Sequence, residues 1–263
     1  MKLRVIFANI YQGLLFEGKL NEDDVFSKFW PSAYTEIFAK LKPDILCLAE
    51  TPFDTADGKG KFIEELSMGT NLSNFRSDSK EASWVVEGKF YGNAILTRFD
   101  IVDYEAILLK NPNIEFTFPN GEHRITHDKT IQKATIKINE KDNIRLFNTH
   151  YFPISWFGRR FDDPEFAPIH DFFAKTITPT DNLPTIAAGD FNNSKIEIEQ
   201  VFPKLFSAKK FVDSVKFTTK DFKNYLSETQ LDHILLTPQF NVVHSEIIKI
   251  PSDHHAILID VEI

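Results

Sequence analysis

The feature that most constrains this chain is a short apolar run that ends in an acid, an amide or an imidazole and recurs along the sequence. Residues 185–188 are uncharged and follow a proline, which predicts a short buried strand. Gly189 then allows a turn or the close approach of another group. Asp190 and Asn192 lie two residues apart, so an extended backbone directs both side chains to one side. One such ending is typical of a turn, but its repetition indicates a shared site.

The pattern of apolar residues predicts alternating strands and helices. Strands are expected at 3–10, 44–50, 83–86, 91–98, 101–109, 131–138, 143–150, 185–188, 231–236, 240–248 and 255–263. Helices are expected at 32–42, 57–67 and 165–177, an irregular loop or hairpin at 111–130, and short helix mixed with loop at 195–227. Each half reads as strands with intervening helices followed by an antiparallel meander. This predicts an α/β (α+β) four-layer sandwich, in which two packed mixed β-sheets are flanked by helices. The sequence contains no repeat or linker, so a single domain spanning 1–263 is expected.

Composition limits the classes of function. Hydrophobic residues make up 42% of the 263 residues, enough for a large core, and the net charge of -8 argues against a surface that coats nucleic acid. A nucleic-acid substrate held by a few local cations stays open. Cys47 is the single cysteine, which suits a reducing compartment. No signal-like leader and no run approaching the ~18 apolar residues of a membrane span is present. A soluble, cytoplasmic monomer is therefore expected.

The polar groups beside the apolar runs form two sets. One set follows predicted strands and the other precedes them: Asn9, Glu50, His150, Asp190 and Asn192 in the first, and Asp232, Asp253 and His254 in the second. If the late strands run antiparallel to the early ones, all of these groups meet at one edge. That arrangement disfavours a TIM barrel, whose functional groups follow strand carboxyl ends. Each residue alone is typical of a cap, a turn or a surface position.

The combined side chains favour one kind of chemistry. Hard oxygen ligands without cysteine favour Mg²⁺ or Mn²⁺ over zinc. Histidine–aspartate pairs supply an oriented acid or base. Amide and imidazole groups suit phosphate oxygens. Together they predict metal-assisted hydrolysis of a phosphate ester.

Short segments carry a family resemblance in order along nearly the whole chain. They are residues 7–10 (FANI), 48–50 (LAE), 92–98 (GNAILTR), 148–150 (NTH), 189–192 (GDFN), 231–234 (LDHI) and 252–255 (SDHH). The set resembles the endonuclease/exonuclease/phosphatase (DNase I-like) superfamily. That group includes DNase I-like nucleases, exonuclease III-type apurinic endonucleases, sphingomyelinases, inositol phosphatases and tyrosyl-DNA phosphodiesterases. The resemblance implies the DNase I-like fold and a Mg²⁺- or Mn²⁺-dependent phosphoric ester hydrolase.

The resemblance also implies a role for each matching residue. Glu50 resembles the principal metal ligand, with Asn9 and Asp253 beside it. His254 resembles the histidine that faces the phosphate, oriented by Asp232. Asp190 resembles the group that positions or deprotonates the attacking water. Asn192 resembles a phosphate contact. His150 resembles the histidine that polarises the phosphate or assists the leaving group. The general base is either Asp190 or the His254–Asp232 pair.

The substrate is less constrained than the site. A phosphodiester is expected, with a phosphomonoesterase acting on a sugar or nucleotide phosphate, or a non-catalytic binding module, as the alternatives. His150 weighs against the apurinic endonuclease branch, which usually lacks a histidine there. The residues that could contact substrate are Asn93, Arg98, Trp156 and Arg159. The loop 151–160 would either stack a base or pack its aromatic side chains inward.

Overall fold

The computed structural model describes residues 1–16, 28–117, 121–193, 196–207, 211–214 and 230–263. In chain order, the strands are β1 (Lys2–Asn9), β2 (Leu14–Leu15), β3 (Lys28–Phe29), β4 (Ile45–Phe53), β5 (Asn74–Ala82), β6 (Phe90–Thr97), β7 (Asp100–Leu109), β8 (Glu115–Thr117), β9 (His123–Ile125), β10 (Lys129–Lys137), β11 (Asn143–His150), β12 (Thr185–Asp190), β13 (Val212–Asp213), β14 (Asp232–Leu236), β15 (Asn241–Ile248) and β16 (Ala256–Glu262). The α-helices are α1 (Ser32–Leu41), α2 (Lys61–Thr70), α3 (Ala167–Ile177), α4 (Ile198–Val201) and α5 (Pro203–Phe206). Single 3₁₀ turns lie at Tyr11–Gly13 and Pro164–Phe166.

The large strands form two six-stranded sheets with related topology. The first sheet has the order β15-β16-β1-β4-β6-β5, and the second has the order β13-β14-β12-β11-β10-β7. Each sheet contains one parallel pair, β1 with β4 and β11 with β12, and its other neighbours are antiparallel. The carboxyl ends of the parallel strands therefore lie at the same edge as the amino ends of β16 and β14. This is the edge arrangement that the sequence predicts.

Three apolar layers hold the sandwich together. The inner faces of both sheets pack against each other through residues such as Phe7, Ile186 and Ile257, all essentially inaccessible to solvent. Helices α1 and α2 cover the outer face of the first sheet through Phe38 and Leu66. The segment containing α3, α4 and α5 covers the second sheet. Strands buried on both faces read as continuous apolar runs, which is the pattern β1 and β4 show. The predicted four-layer sandwich is confirmed.

A buried polar contact joins the two sheets just beneath the edge where the parallel strands end. The side-chain nitrogen of Asn148, in β11, lies 3.0 and 3.1 Å from the carbonyl oxygens of Leu48 and Ala94 in the first sheet. It also lies 2.9 Å from Oε1 of Gln132. Since buried carbonyl groups require partners, this contact fixes how the sheets meet.

Two parts of the meander differ from the sequence prediction. Residues 83–86 are not a strand, because the hydroxyl of Ser83 accepts the backbone N–H groups of Val85 and Val86 and forms a local turn. Strand β5 was not predicted as a separate element, because its polar residues lie at a sheet edge and give no apolar alternation. Part of the predicted 195–227 segment lies outside the described residues. No helix within the described ranges has the length and apolar content to cross a membrane.

Candidate functional site

Polar side chains from both sheets converge at this edge. We call them the polar rim, and its members are Asn9, Glu50, His150, Asp190, Asn192, Asp232, Asp253 and His254. At its centre, Nδ2 of Asn9 donates hydrogen bonds of 3.1 Å to Oε1 of Glu50 and 3.0 Å to Oδ2 of Asp190. The three residues come from β1, β4 and β12, so the rim spans both sheets.

Glu50 reaches the rim through an irregularity in its strand. The pairing of β4 with β6 shifts register between Leu48 and Thr51, and Glu50 has a φ of 50°. A non-glycine residue in this left-handed region costs roughly 1–3 kcal/mol, and such strain is concentrated at functional sites. The bulge directs the carboxylate out of the strand toward Asn9.

Asn192 is held in a similar way. Its φ is 52°, its backbone N–H donates to Oδ1 of Asp190 at 2.8 Å, and its side-chain nitrogen donates to the carbonyl of Tyr151 at 2.8 Å. Gly189 precedes this turn for a packing reason, because a Cβ there would lie 2.7 Å from the carbonyl oxygen of Thr149 on the neighbouring parallel strand. Of the two readings that the sequence left open at Gly189, close approach is the one observed.

His254 and Asp232 form a buried pair. Nδ1 of His254 lies 2.8 Å from Oδ2 of Asp232, and the two residues are 2% and 0% exposed. The other ring nitrogen, Nε2, lies 3.7 Å from Oδ2 of Asp190 and 4.0 Å from Oδ2 of Asp253. An aspartate at Nδ1 fixes the ring so that Nε2 faces the centre of the rim.

His150 approaches the same carboxylates from β11. Its Nε2 lies 3.7 Å from Oε1 of Glu50 and 3.8 Å from Oδ2 of Asp190. Its Nδ1 lies 3.3 Å from the ammonium nitrogen of Lys129. When Lys129 is protonated its ammonium group can only donate, so Nδ1 is then the acceptor and the ring proton lies on Nε2.

Lys129 was missed by the sequence analysis, which placed it in a loop. Burial lowers the pKa of its ammonium group, while the charges of Glu50 and Asp190 act in the opposite direction. No local pattern in the sequence marks it, because its place beside His150 depends on the register between β10 and β11, in which Ile131 lies opposite Thr149.

The residues predicted to contact substrate lie in different parts of the structure. Asn93 lies in a pocket that His150 and Lys129 also line, and its Oδ1 has no hydrogen-bond partner among the described residues. The sequence predicts that Arg98 could contact substrate, and the structure contradicts this prediction. Arg98 lies at the end of the first sheet opposite the rim and pairs with Asp44. Strand β6 runs antiparallel to β4, so Thr97, the last residue of β6, lies opposite Ile45, the first residue of β4. Arg98 follows Thr97 and is therefore far from Glu50. Arg159 pairs with Glu165 and Asp163.

Of the aromatic side chains in the 151–160 loop, some are buried and one is exposed. Tyr151, Phe152 and Phe157 pack into the core under α3. Trp156 is 49% exposed. Inward packing is therefore observed for three of these side chains, and stacking of a base on Trp156 stays a prediction.

The donor set of the rim fits a hard divalent cation. It brings four carboxylates, buried or half-buried, to one edge of the sandwich, and oxygen donors of this kind are the ligands that Mg²⁺ and Mn²⁺ prefer. The carboxylates are Glu50, Asp190, Asp232 and Asp253. Burial, followed by the charges of Glu50 and Asp253, raises the pKa of the Tyr11 phenol, so Tyr11 lies within the electrostatic influence of both carboxylates.

Among the described residues, one group of candidate ligands lies close enough together to share an ion. Asp190, Asp232 and His254 offer atoms within 4.8 Å of one another, but two of them already form the 2.8 Å pair. Glu50 and Asp253, which the resemblance assigns as ligands beside Asn9, carry the hard oxygen donors that suit Mg²⁺ or Mn²⁺, and their role as ligands stays a prediction. The amide oxygen of Asn9 accepts the backbone N–H of Tyr11 at 3.1 Å and its nitrogen faces Glu50 and Asp190, so its role as a ligand stays a prediction.

Comparison with known proteins agrees with this geometry. A model of the endonuclease/exonuclease/phosphatase family matches residues 7–254. The chain belongs to this family. Its members hydrolyse phosphate esters and generally use divalent metal ions. No curated protein matches the sequence.

Solved structures show the same fold at low sequence identity. An endonuclease/exonuclease/phosphatase from Beutenbergia cavernae has a TM-score of 0.74 at 16% identity, covering 100% of this chain and 72% of that one. The human Nocturnin catalytic domain has a TM-score of 0.63 at 18% identity, covering 99% and 94%. A mannosyl-6-phosphatase from Bacteroides thetaiotaomicron has a TM-score of 0.59 at 17% identity, covering 99% and 100%.

Proposed function

We propose that this protein is a Mg²⁺- or Mn²⁺-dependent phosphodiesterase that cleaves its ester by in-line attack of water on phosphorus. The observation that carries the proposal is the position of Asp190. Its Oδ2 lies 3.0 Å from Nδ2 of Asn9, 3.7 Å from Nε2 of His254 and 3.8 Å from Nε2 of His150. One carboxylate oxygen thus faces two imidazoles and an amide in a largely water-excluded rim.

Asp190 is the group assigned to the attacking water. Its other oxygen, Oδ1, accepts the backbone N–H of Asn192, which fixes the carboxylate plane. A water held by Oδ2 would be oriented for attack and would pass its proton to this carboxylate. The strained backbone at Asn192 keeps this geometry rigid before substrate arrives, which reduces the entropy lost on reaching the transition state.

The two histidines are assigned to the phosphoryl oxygens. Asp232 holds His254 at Nδ1, and Lys129 holds His150 at Nδ1, so each ring presents Nε2 to the centre. Hydrogen bonds from Nε2 of His150 and from protonated His254 would stabilise the charge that grows on the phosphoryl group. His150 lies beside the open pocket, so it is the one placed to assist the leaving group.

Glu50 and Asp253 are the residues that would hold the metal ion. A bound divalent cation supplies Lewis acidity, which neutralises charge on the phosphate. Asn9 positions Glu50 relative to Asp190 by donating one hydrogen to each. Without that bridge, Glu50 and Asp190 would repel each other.

A phosphomonoesterase of the same fold is the second candidate. The similarity to a mannosyl-6-phosphatase keeps it open. What favours a diester is the surface beyond His150, which continues through Tyr91 and His127 to exposed aromatic side chains. A second ester substituent would contact this surface, and a monoester has no such group.

The test compares bis-p-nitrophenyl phosphate with p-nitrophenyl phosphate, each with Mg²⁺, with Mn²⁺ and with chelator. Wild-type protein is expected to cleave the diester faster and only with metal. Glu50→Ala and His254→Ala are expected to lose turnover, whereas Glu246→Ala and His244→Ala, exposed residues of edge strand β15, are the matched controls. Faster monoester cleavage would select the second candidate. Absence of both metal binding and turnover would overturn the proposal that the protein is a hydrolase.

A further inference from the structure

Three side chains from separate segments form an exposed ridge near the polar rim. Trp84 follows β5, Arg124 lies in β9, and Trp156 lies in the loop after β11. The guanidinium carbon of Arg124 lies 4.5 Å from the centre of the Trp84 ring and 5.7 Å from that of Trp156. The tryptophans are 40% and 49% exposed. We call these three residues the tryptophan ridge.

The tryptophan ridge is continuous with the rim through a chain of side-chain contacts. The rings of Trp84 and His127 are 3.7 Å apart, and Nδ1 of His127 lies 2.6 Å from the hydroxyl of Tyr91. Tyr91 and His150 line the same pocket, together with Lys129. These contacts, which include the buried ring of His127, connect the ridge to the pocket that His150 lines, so a ligand with its phosphate at the rim would extend from this pocket toward the ridge.

The electrostatics of the ridge select among ligands. Burial lowers the pKa of His127 to about 4, with the charges of Lys129 and Arg124 adding to the effect, so its ring is neutral. Arg124 places a positive charge beside both indoles, and Glu122 accepts a hydrogen bond of 2.6 Å from it. Tryptophan faces attract quaternary ammonium head groups, but here the guanidinium of Arg124 already lies beside both indoles and such a head group would have to displace it.

A planar, neutral ring is the group that fits best. Indole rings and guanidinium planes both stack on nucleobases, and this stacking tolerates any base. The net charge of -8 provides no long basic track for a duplex backbone. Resting on the proposed function, we propose that the tryptophan ridge stacks the base of a nucleotide ester or of a single-strand end whose phosphate occupies the polar rim.

The experiment compares two ligands that differ only in their bases. One is a 5′-phosphorylated thymidine dinucleotide, and the other has the same charged backbone with abasic tetrahydrofuran residues. Binding is measured by titration calorimetry in the Asp190→Asn background with Mg²⁺, so neither ligand is consumed. The thymidine ligand is expected to bind about fivefold to a hundredfold more tightly, the range that stacking of one base provides.

Substitutions then locate the effect. Trp84→Ala and Trp156→Ala are each expected to remove most of the difference while leaving the abasic affinity unchanged. Phe172→Ala, an exposed aromatic of α3 on the outer helix layer, is the matched control and is expected to keep the difference. Equal affinity for both ligands would overturn the proposal. So would tryptophan variants that weaken both ligands equally, or tighter tryptophan-dependent binding of mannose 6-phosphate.

The outcome is independent of catalysis. A base-dependent affinity in a protein that hydrolyses no ester would reject the proposed function and leave the ridge standing. Hydrolysis of esters with no base-dependent affinity would do the reverse.

Discussion

Oδ2 of Asp190 lies 3.0 Å from Nδ2 of Asn9, and this hydrogen bond joins the last residues of β12 and β1, which belong to different sheets. The Asn9→Ala variant would leave Glu50 and Asp190 without their shared donor. Because misplacing a catalytic group by about 1 Å can cost about a hundredfold in rate, we expect kcat to fall by about that factor. Steady-state kinetics on bis-p-nitrophenyl phosphate measures the change. A kcat within twofold of wild type would show that the bridge has no role in catalysis.

Lys129 is predicted to act through His150. Lys129→Met removes the donor to Nδ1 of His150 and is expected to lower kcat about tenfold, within the range for a perturbed general acid. Lys129→Gln keeps an N–H donor at similar length and is expected to retain most of the activity. In the His150→Ala background, Lys129→Met is expected to cost nothing further, since coupled residues are not additive.

The measurement is a double-mutant cycle in kcat, supported by ring ¹⁵N chemical shifts of His150 that report which nitrogen carries the proton. Fully additive effects would contradict the account. So would a neutral His150 ring protonated at Nδ1 in the wild-type protein.

Asn148 is predicted to contribute to stability more than to chemistry. Asn148→Ala leaves the buried carbonyls of Leu48 and Ala94 without this donor, and each such group costs about 1–3 kcal/mol. We therefore expect the free energy of unfolding in urea to fall by about 2–4 kcal/mol. Asn143→Ala, an exposed asparagine at the start of the same strand, is the control and is expected to change it by less than about 0.5 kcal/mol.

An ion pair between β1 and β16 predicts that the stability of the fold decreases at acid pH. Arg4, followed by Lys2, holds the pKa of Asp260 down at about 2. Its carboxylate therefore stabilises the fold above the unfolded pKa of about 3.9 and loses this effect as pH falls toward 2. Asp260→Asn is expected to cost about 1 kcal/mol at pH 7, because Arg4 is partly exposed to solvent.

Urea unfolding of wild type and Asp260→Asn at several pH values measures this difference. The gap between the two proteins should shrink between about pH 4 and pH 2. A gap that is unchanged over this interval would show that the ion pair does not contribute.

The sequence predicted most of the rim because its residues end or begin strands. His150 and Asp190 follow continuous apolar runs, so their strands and edges were readable from periodicity. The sequence places Glu50 at a strand end, whereas β4 continues to Phe53. The bulge that turns the Glu50 side chain out of the strand leaves no mark in the composition, so it could not be predicted.

The misses have physical reasons. Arg98 follows a strand, as the rim residues do, but strand direction decides which edge it reaches, and pairing direction was not visible locally. Lys129 lies outside the apolar run of β10, so only the register with β11 places it beside His150. The orientation of the Asn9 amide depends on the backbone N–H of Tyr11, a contact set by the following 3₁₀ turn.

The central claim is that groups from both sheets form one hydrolytic site. The most direct measurement is kcat on bis-p-nitrophenyl phosphate with Mg²⁺ for Glu50→Ala from the first sheet, Asp190→Asn from the second, and the double variant. Each single variant is predicted to lose at least about a thousandfold, and the double variant to lose no more than the worse single one, because residues of one catalytic unit are grossly non-additive. A loss in the double variant equal to the product of the two single losses would contradict the account. So would near wild-type turnover in either single variant.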